Sequence, residues 1–284
     1  LYDEVGSKEK GKNLFYSPHS ISSALAMTYA GAEGKTESEM KSTLHFNLPE
    51  SKLHPTFNKL DLTLEKRAKQ SGGKRSKGGS PFQLNIANSV WGQQNFQFEQ
   101  PFLDTLARHY GAGLRVLDFQ SQPEASRKTI NKWVAKKTED TIEELLGRGS
   151  ITPSTRMVLT NAIYFNASWK HKFDENKTEK APFQTPSGEV QADMMHLKSQ
   201  NGLGHAEGSN YKAVELPYVG DKVSMVVVVP DDGKFQMVEQ KLSGQWVTDL
   251  FDKLSESPLI VEMPKFTYET KFSAKKMLEN LGMT

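Results

Sequence analysis

One polar residue standing in the middle of an apolar run constrains this chain more than anything else in it. The run is Arg156-Met-Val-Leu-Thr-Asn161-Ala-Ile-Tyr-Phe165-Asn-Ala-Ser-Trp169-Lys-His-Lys-Phe173. Read as a strand, it places Met157, Leu159, Ile163 and Phe165 on one face with Asn161, and Val158, Ala162 and Tyr164 on the other with Thr160. Both faces then look covered, so the reading is a long buried strand that ends on Trp169. A buried amide left unpaired costs about 1–3 kcal/mol, so the fold must bring polar groups from elsewhere to the middle of this strand.

With 284 residues, 36% of them apolar and 25% charged, the chain has enough material for a sizeable core. The longest apolar run, Val223 to Val229, is interrupted by Ser224 and stops at Pro230, far short of the roughly 20 residues of a membrane span. No membrane partner is expected. Lys and Arg number 36 against 34 Asp and Glu, a balance that disfavours nucleic acid as partner. There is no cysteine, hence no disulfide framework and no thiolate metal site. No signal peptide is present, and Leu1-Tyr2-Asp3-Glu4 reads as the middle of a helix, which leaves room for a leader before it.

Along the chain, Asn13 to Tyr16 reads as a short strand and Ser20 as the start of a helix carrying Ile21, Ala24 and Leu25. Helices are expected over Ser38 to Phe46 and Pro55 to Arg67. Between Lys66 and Ser80 stand Lys66, Arg67, Lys69, Lys74, Arg75 and Lys77 among four glycines, the composition of a surface loop. Phe82 to Trp91 alternates as a strand, Phe102 to Tyr110 is a helix ended by Gly111, and Leu114 to Phe119 is a strand. Ser121 and Glu124 form a capping box for a helix with Ile130, Trp133, Val134 and Lys137 on one face. Strands follow at Tyr211 to Tyr218 and Val223 to Val229, then a helix over Phe235 to Leu254 and strands across Leu259 to Tyr268. Helices and strands mix without a repeating unit, which favours a single α+β domain.

Familiar catalytic patterns fail on spacing. Gly31-Ala-Glu-Gly34-Lys35-Thr36 lacks the earlier glycine of a phosphate loop and follows a helix, so it reads as a helix end. Gly202 to Gly208 misses the dinucleotide fingerprint by one residue and reads as a turn. The seven histidines lack ligand spacing, no metal site is expected, and a pairing of His196 with His205 ranks below ordinary histidines. Two sequons occur, at Asn166 and Asn176, of which Asn176, among charged residues, is the better acceptor for a glycan. The basic loop is a candidate for a polyanion such as a sulfated polysaccharide, against the plainer reading of a solvated loop.

Taken together, Phe15-Tyr-Ser17-Pro18-His-Ser20-Ile-Ser-Ser-Ala24, Thr160-Asn161-Ala-Ile-Tyr-Phe165 through Trp169 and Phe173, Val214-Glu-Leu-Pro217-Tyr218, Met263-Pro264-Lys265-Phe266 and Leu281-Gly282-Met283-Thr284 resemble the serpin family across the whole chain. The resemblance implies a single α+β domain with three β-sheets and eight to nine helices. It makes the opening strand the third strand of a large central sheet. It also implies a polar centre beneath that sheet, the shutter, formed by Ser17, Ser20 and Asn161, and a breach at the sheet top marked by Trp169. Ser17 and Ser20 would then be the partners Asn161 requires. Asn166-Ala167 departs from the family's usual Lys-Gly at that turn.

The function implied is a suicide inhibitor of a serine or cysteine protease, not an enzyme: a reactive loop is cut and inserts as a new central strand while the protease stays covalently attached. No cofactor is implied. A monomer acting in the extracellular space is expected, with an intracellular place left open. The alternative within the family is a non-inhibitory carrier, chaperone or storage protein. The resemblance also requires another central strand, the reactive loop and two core strands after Thr284, so residues 1 to 284 are expected to be an incomplete folding unit.

Overall fold

In the computed structural model the described residues are 2–8, 11–71, 82–185, 187–268, 270 and 274–284. In chain order the elements are α1 (Tyr2–Lys8), α2 (Pro18–Tyr29), α3 (Gly34–Thr43), α4 (Glu50–Ser71), β1 (Gln83–Gln93), α5 (Gln100–Tyr110), β2 (Leu114–Leu117), α6 (Pro123–Lys137) and β3 (Met157–Asn166), followed by β4 (Asp174–Thr185), β5 (Gly188–Gly208), β6 (Tyr211–Pro217), β7 (Ser224–Pro230), α7 (Phe235–Glu239), α8 (Gly244–Lys253), β8 (Ser255–Pro264) and α9 (Lys275–Asn280). They fall into two compact units, one of Leu1–Lys66, Leu84–Phe165 and Tyr268–Thr284, the other of Arg67–Gln83 and Asn166–Thr267.

The first unit is organised by a sheet of order β2-β1-β3. β1 and β2 run parallel, in register from Val90↔Leu114 to Gln93↔Leu117. Period-two alternation divides the side chains of β1 and β3 between two cores. Val90, Met157 and Leu159 join a core with Met27 and Tyr29 of α2, Met40 of α3 and Leu106 of α5. Ala87, Trp91, Val158 and Ala162 join a second core with Phe119 and with Ile130 and Val134 of α6. The strand read from the sequence is therefore covered on both faces, although only Thr160 and Ala162 reach full burial and its last residues, Phe165 and Asn166, are exposed.

Several local expectations change. Asn13 to Tyr16 is not a strand, and the following helix starts at Pro18, because the Ser17 Oγ accepts from the Ser20 N–H at 3.1 Å and so caps it. α4 begins at Glu50 with Pro55 inside it and continues to Ser71, so Lys66, Arg67 and Lys69 lie on a helix rather than in a loop. Proline inside a helix removes one donor, a local cost that the rest of a 22-residue helix outweighs. The capping box does not form: Gln122 is the cap residue, the Ser121 N–H is taken by Asp118 Oδ1 at 2.9 Å, and Glu124 turns to Arg127. Gly111, by contrast, ends α5 as read, with φ of 59° in the left-handed region where a Cβ is penalised.

The second unit is an antiparallel sheet of order β4-β5-β6-β7, with β8 also on β5. β5 carries 21 residues and serves two sets of neighbours, β4 along its first half and β6 along its last four residues, while β8 pairs from Met194 to His205 with a register shift between Ser199 and Leu203. Because β5 runs through both sets, the described strands form two hydrogen-bonded sheets. Gly202 and Gly204 sit inside β5, not in a turn. A Cβ on Gly204 would lie 3.2 Å from the Cβ of Glu215 on the neighbouring strand and would displace the end of that side chain, so the cross-strand approach is close there. The expected helix over Phe235 to Leu254 is broken: α7 ends at Glu239, and Ser243 starts α8 by accepting from the Trp246 N–H at 3.1 Å. Among the described residues no helix is long and apolar enough to cross a membrane.

Candidate functional site

The middle of β3 is tied to β1 on both faces. On one face Asn161 Nδ2 donates to Asn88 Oδ1 at 2.6 Å. On the other, the Trp91 indole N–H donates to Thr160 Oγ1 at 3.1 Å, and that hydroxyl donates to the Ser89 carbonyl at 3.3 Å. Thr160 and Trp91 are 2% and 3% exposed, so these bonds work with little competition from water. Asn161 is only half satisfied, since its Oδ1 is buried and has no partner. The amide thus holds one bond and keeps an acceptor open.

Ser17 and Ser20 do not supply the partner of Asn161. Ser17 is engaged in capping α2 and Ser20 offers it its backbone N–H. Asn88 was missed by sequence reasoning, yet it carries the same signal as Asn161: an amide amid Ile86, Ala87, Ser89 and Val90 in a strand that is largely buried.

In the second unit, Trp169 lies beyond the end of β3, in an isolated antiparallel bridge to Tyr218. The Lys170 N–H donates to the Pro217 carbonyl at 2.9 Å and the Val219 N–H to the Ser168 carbonyl at 2.9 Å. The two rings stack at 4.5 Å with 13° between their planes, and Phe173 meets Trp169 edge-on at 6.2 Å. Burial pushes the Tyr218 hydroxyl up from its ordinary pKa. Trp169 and Phe173 pack with Leu216, Met225 and Val227.

The remaining candidates stand apart from these features. Lys66, Arg67 and Lys69 are exposed on the last turns of α4, and Lys74, Arg75 and Lys77 lie outside the described residues. Asn166 is exposed at the end of β3 and Asn176 is exposed in β4. His196 and His205 do not meet: His196 lies between Glu262 at 3.4 Å and Glu179 at 3.7 Å, and His205 Nδ1 shares a hydrogen bond of 2.9 Å with Ser257 Oγ. Among the described residues no group of three or more His, Asp or Glu is placed to hold a metal ion.

A three-stranded sheet between two cores, together with a separate antiparallel sheet, a polar tie in the middle of β3 and an aromatic stack after it, defines an α+β protein of the serpin type. A family model described as Serpin (serine protease inhibitor) matches residues 1–284, and the chain belongs to that family. It is 33% identical over 283 residues to an uncharacterized serpin-like protein of Thermococcus kodakarensis, covering all of this chain and 63% of that protein. To a leukocyte elastase inhibitor of Xenopus laevis it is 34% identical over 289 residues, covering all of this chain and 74% of the relative. A structure of emu ovalbumin superposes with a TM-score of 0.88 at 25% identity, covering 99% of this chain and 74% of that one. The chain therefore spans roughly two thirds to three quarters of the length of these proteins. The fold is the single-domain α+β fold of the family.

Proposed function

We propose that the whole protein is a suicide inhibitor of a serine protease, with a cysteine protease as the variant target. The protease nucleophile attacks the carbonyl of one bond in an exposed loop, the peptide bond breaks, the amine side leaves, and the acyl group remains on the enzyme. The freed loop then adds to the sheet as a new strand beside β3, and the displaced enzyme does not complete hydrolysis. Strand addition of this kind needs a native state held kinetically above a more stable one.

What supports this reading is the match of the Serpin (serine protease inhibitor) family model to residues 1–284, and in it β3 is read as the strand beside which the cut loop adds. The half-satisfied amide of Asn161 fits a sheet that closes and reopens, since its free Oδ1 accepts a donor without any apolar surface being exposed. Asn161, with Ser17 and Ser20 at the start of α2, forms the shutter in this reading, and the Trp169–Tyr218 stack forms the breach.

The test is incubation of the full-length protein with a panel of serine and cysteine proteases, looking for a covalent complex stable in SDS. We expect a complex with at least one protease, and a large rise in thermal stability once the loop is cut. If no protease forms a complex and cleavage brings no such rise, the function passes to the non-inhibitory reading of a carrier, chaperone or storage protein. Two further assignments accompany the main one. Lys66, Arg67, Lys69, Lys74, Arg75 and Lys77, close together in the sequence, are assigned as a polyanion site for a sulfated polysaccharide, checked by salt-dependent retention on heparin in the wild type and the sixfold Ala variant. The exposed sequons at Asn166 and Asn176 suit an extracellular protein, and a mass shift on glycosidase treatment checks them.

A further inference from the structure

The junction of α3 and α4 carries an apolar cleft of about 320 Å³, within the size range of small-ligand sites, roughly 300–1,000 Å³. Leu53, Phe57 and Leu60 line it from one face of α4, at spacings of four and three residues. Phe46, just after α3, meets Phe57 edge-on at 6.2 Å and Tyr29 edge-on at 5.3 Å, so the floor is packed into the first core. Leu48 and Leu60 line the same cleft and remain 41% and 44% exposed.

A second hollow shares His45, Phe46 and Asn47 with the first, and its other walls are polar: Ser38, Lys41 and Ser42. Lys41 is exposed and makes no salt bridge among the described residues. The nearby Glu39 is already taken, by Lys35 at 3.1 Å and by the Thr284 N–H at 3.0 Å. No carboxylate is among the described residues lining either hollow. His45, which joins the two, has φ of 53°, the left-handed conformation that glycine adopts without strain. The helix end there is closed by backbone bonds, Leu44 N–H to the Met40 carbonyl at 2.9 Å and Phe46 N–H to the Lys41 carbonyl at 3.0 Å, so the cap itself has no need of an imidazole.

We propose that the joined hollows bind a free single-chain amphiphile with an anionic head, a medium- to long-chain carboxylate. Its alkyl chain lies along Leu48, Phe57 and Leu60 and takes the two exposed leucines out of water. Its carboxylate accepts from the Lys41 ammonium, with the His45 imidazole at the neck between the hollows. Charge selects the head: Lys41 is the one Lys, Arg, Asp or Glu among the described residues lining either hollow. The site is independent of whether the protein inhibits a protease.

The experiment titrates the full-length protein at low ionic strength with decanoate, and with decyltrimethylammonium as the same chain under the opposite charge, followed by calorimetry. Wild type is expected to bind decanoate with Kd below about 1 mM and to bind the cation more weakly. Lys41→Gln should weaken decanoate about fivefold, the size of one exposed ion pair, without weakening the cation. Leu60→Glu, at an exposed position, removes apolar contact and adds a like charge, and should weaken decanoate about tenfold. His45→Gly should weaken decanoate while the urea midpoint holds or rises, an effect that a histidine serving only the helix end would not give. The inference is overturned if decanoate does not bind wild type below about 1 mM, if Lys41→Gln weakens both probes equally, or if Leu60→Glu or His45→Gly binds decanoate as wild type does. Binding to anionic phospholipid vesicles without binding of decanoate would also overturn it, in favour of a membrane contact.

Discussion

Replacing Asn161 by Ala separates a structural amide from a switching one, because the structure sets how much stability the substitution takes away. The side chain makes one hydrogen bond, to Asn88 at 2.6 Å. Losing it costs about 1 kcal/mol net, and the half-buried Asn88 recovers part of that by meeting water. Removal also abolishes a buried Oδ1 that had no partner, which offsets some of the loss. The balance is a loss below about 1 kcal/mol, less than roughly a fivefold change in the folded-to-unfolded ratio. Urea unfolding should show a small drop in midpoint with unchanged slope. If Asn161 restrains sheet opening, conversion to latent or polymeric forms accelerates by far more than fivefold, since the restraint then acts on the barrier and not on the ground state alone. Gly111→Ala is the matched control: it forces Ala into φ of 59° at the end of α5 for about 1–2 kcal/mol, away from the tie between β1 and β3. Equal conversion rates in Asn161→Ala and Gly111→Ala at equal stability would refute the switching role.

Three other outcomes are expected. Gln93→Ala strips the acceptor from the Phe119 N–H at 2.7 Å and the Gln120 N–H at 3.0 Å, and should cost about 2–3 kcal/mol by urea unfolding, with Gln93→Glu recovering most of it. Trp169→Leu loses the Tyr218 stack and the Phe173 edge contact, worth about 1–2 kcal/mol together beyond area burial; a loss below a few tenths by the same assay would mean the stack is not what holds that bridge. Burial in the first unit holds the pKa of His54 below its ordinary value, against the opposing pull of Glu50. The unfolded chain then takes up a proton near pH 6.5 that the folded chain resists, so stability is full above that pH and falls as pH drops toward the folded value. The decline in urea midpoint between pH 7.5 and 5 should be shallower in His54→Gln, and identical profiles would contradict it.

Much of the fold was legible because it rests on short-range periodicity. The alternation of Met157 to Phe165 predicts a two-faced strand, and the structure places Met157 and Leu159 in one core and Val158 and Ala162 in the other. Gly111 closed its helix where read, since a left-handed cap is a local requirement that glycine meets by itself. Local signals misled where a competing partner lay nearby. Ser121 and Glu124 had the spacing of a capping box, but the Ser121 N–H donates to Asp118 and the Glu124 carboxylate accepts from Arg127 instead. Gly202 and Gly204 looked like a turn because sequence does not show that they lie inside a paired strand, Gly202 against Glu256 and Ser257 and Gly204 against Glu215.

By itself the sequence determined that an amide sits mid-strand among apolar neighbours and demands polar company; the structure leaves Asn161 partly buried, with its Oδ1 buried. Which company it keeps was decided only by tertiary structure. Ser17 was spent on capping α2, and Asn88, 73 residues before Asn161 in the chain, became its partner. Pairing across strands depends on register, and register is set by the packing of whole faces against their cores, which no local pattern encodes.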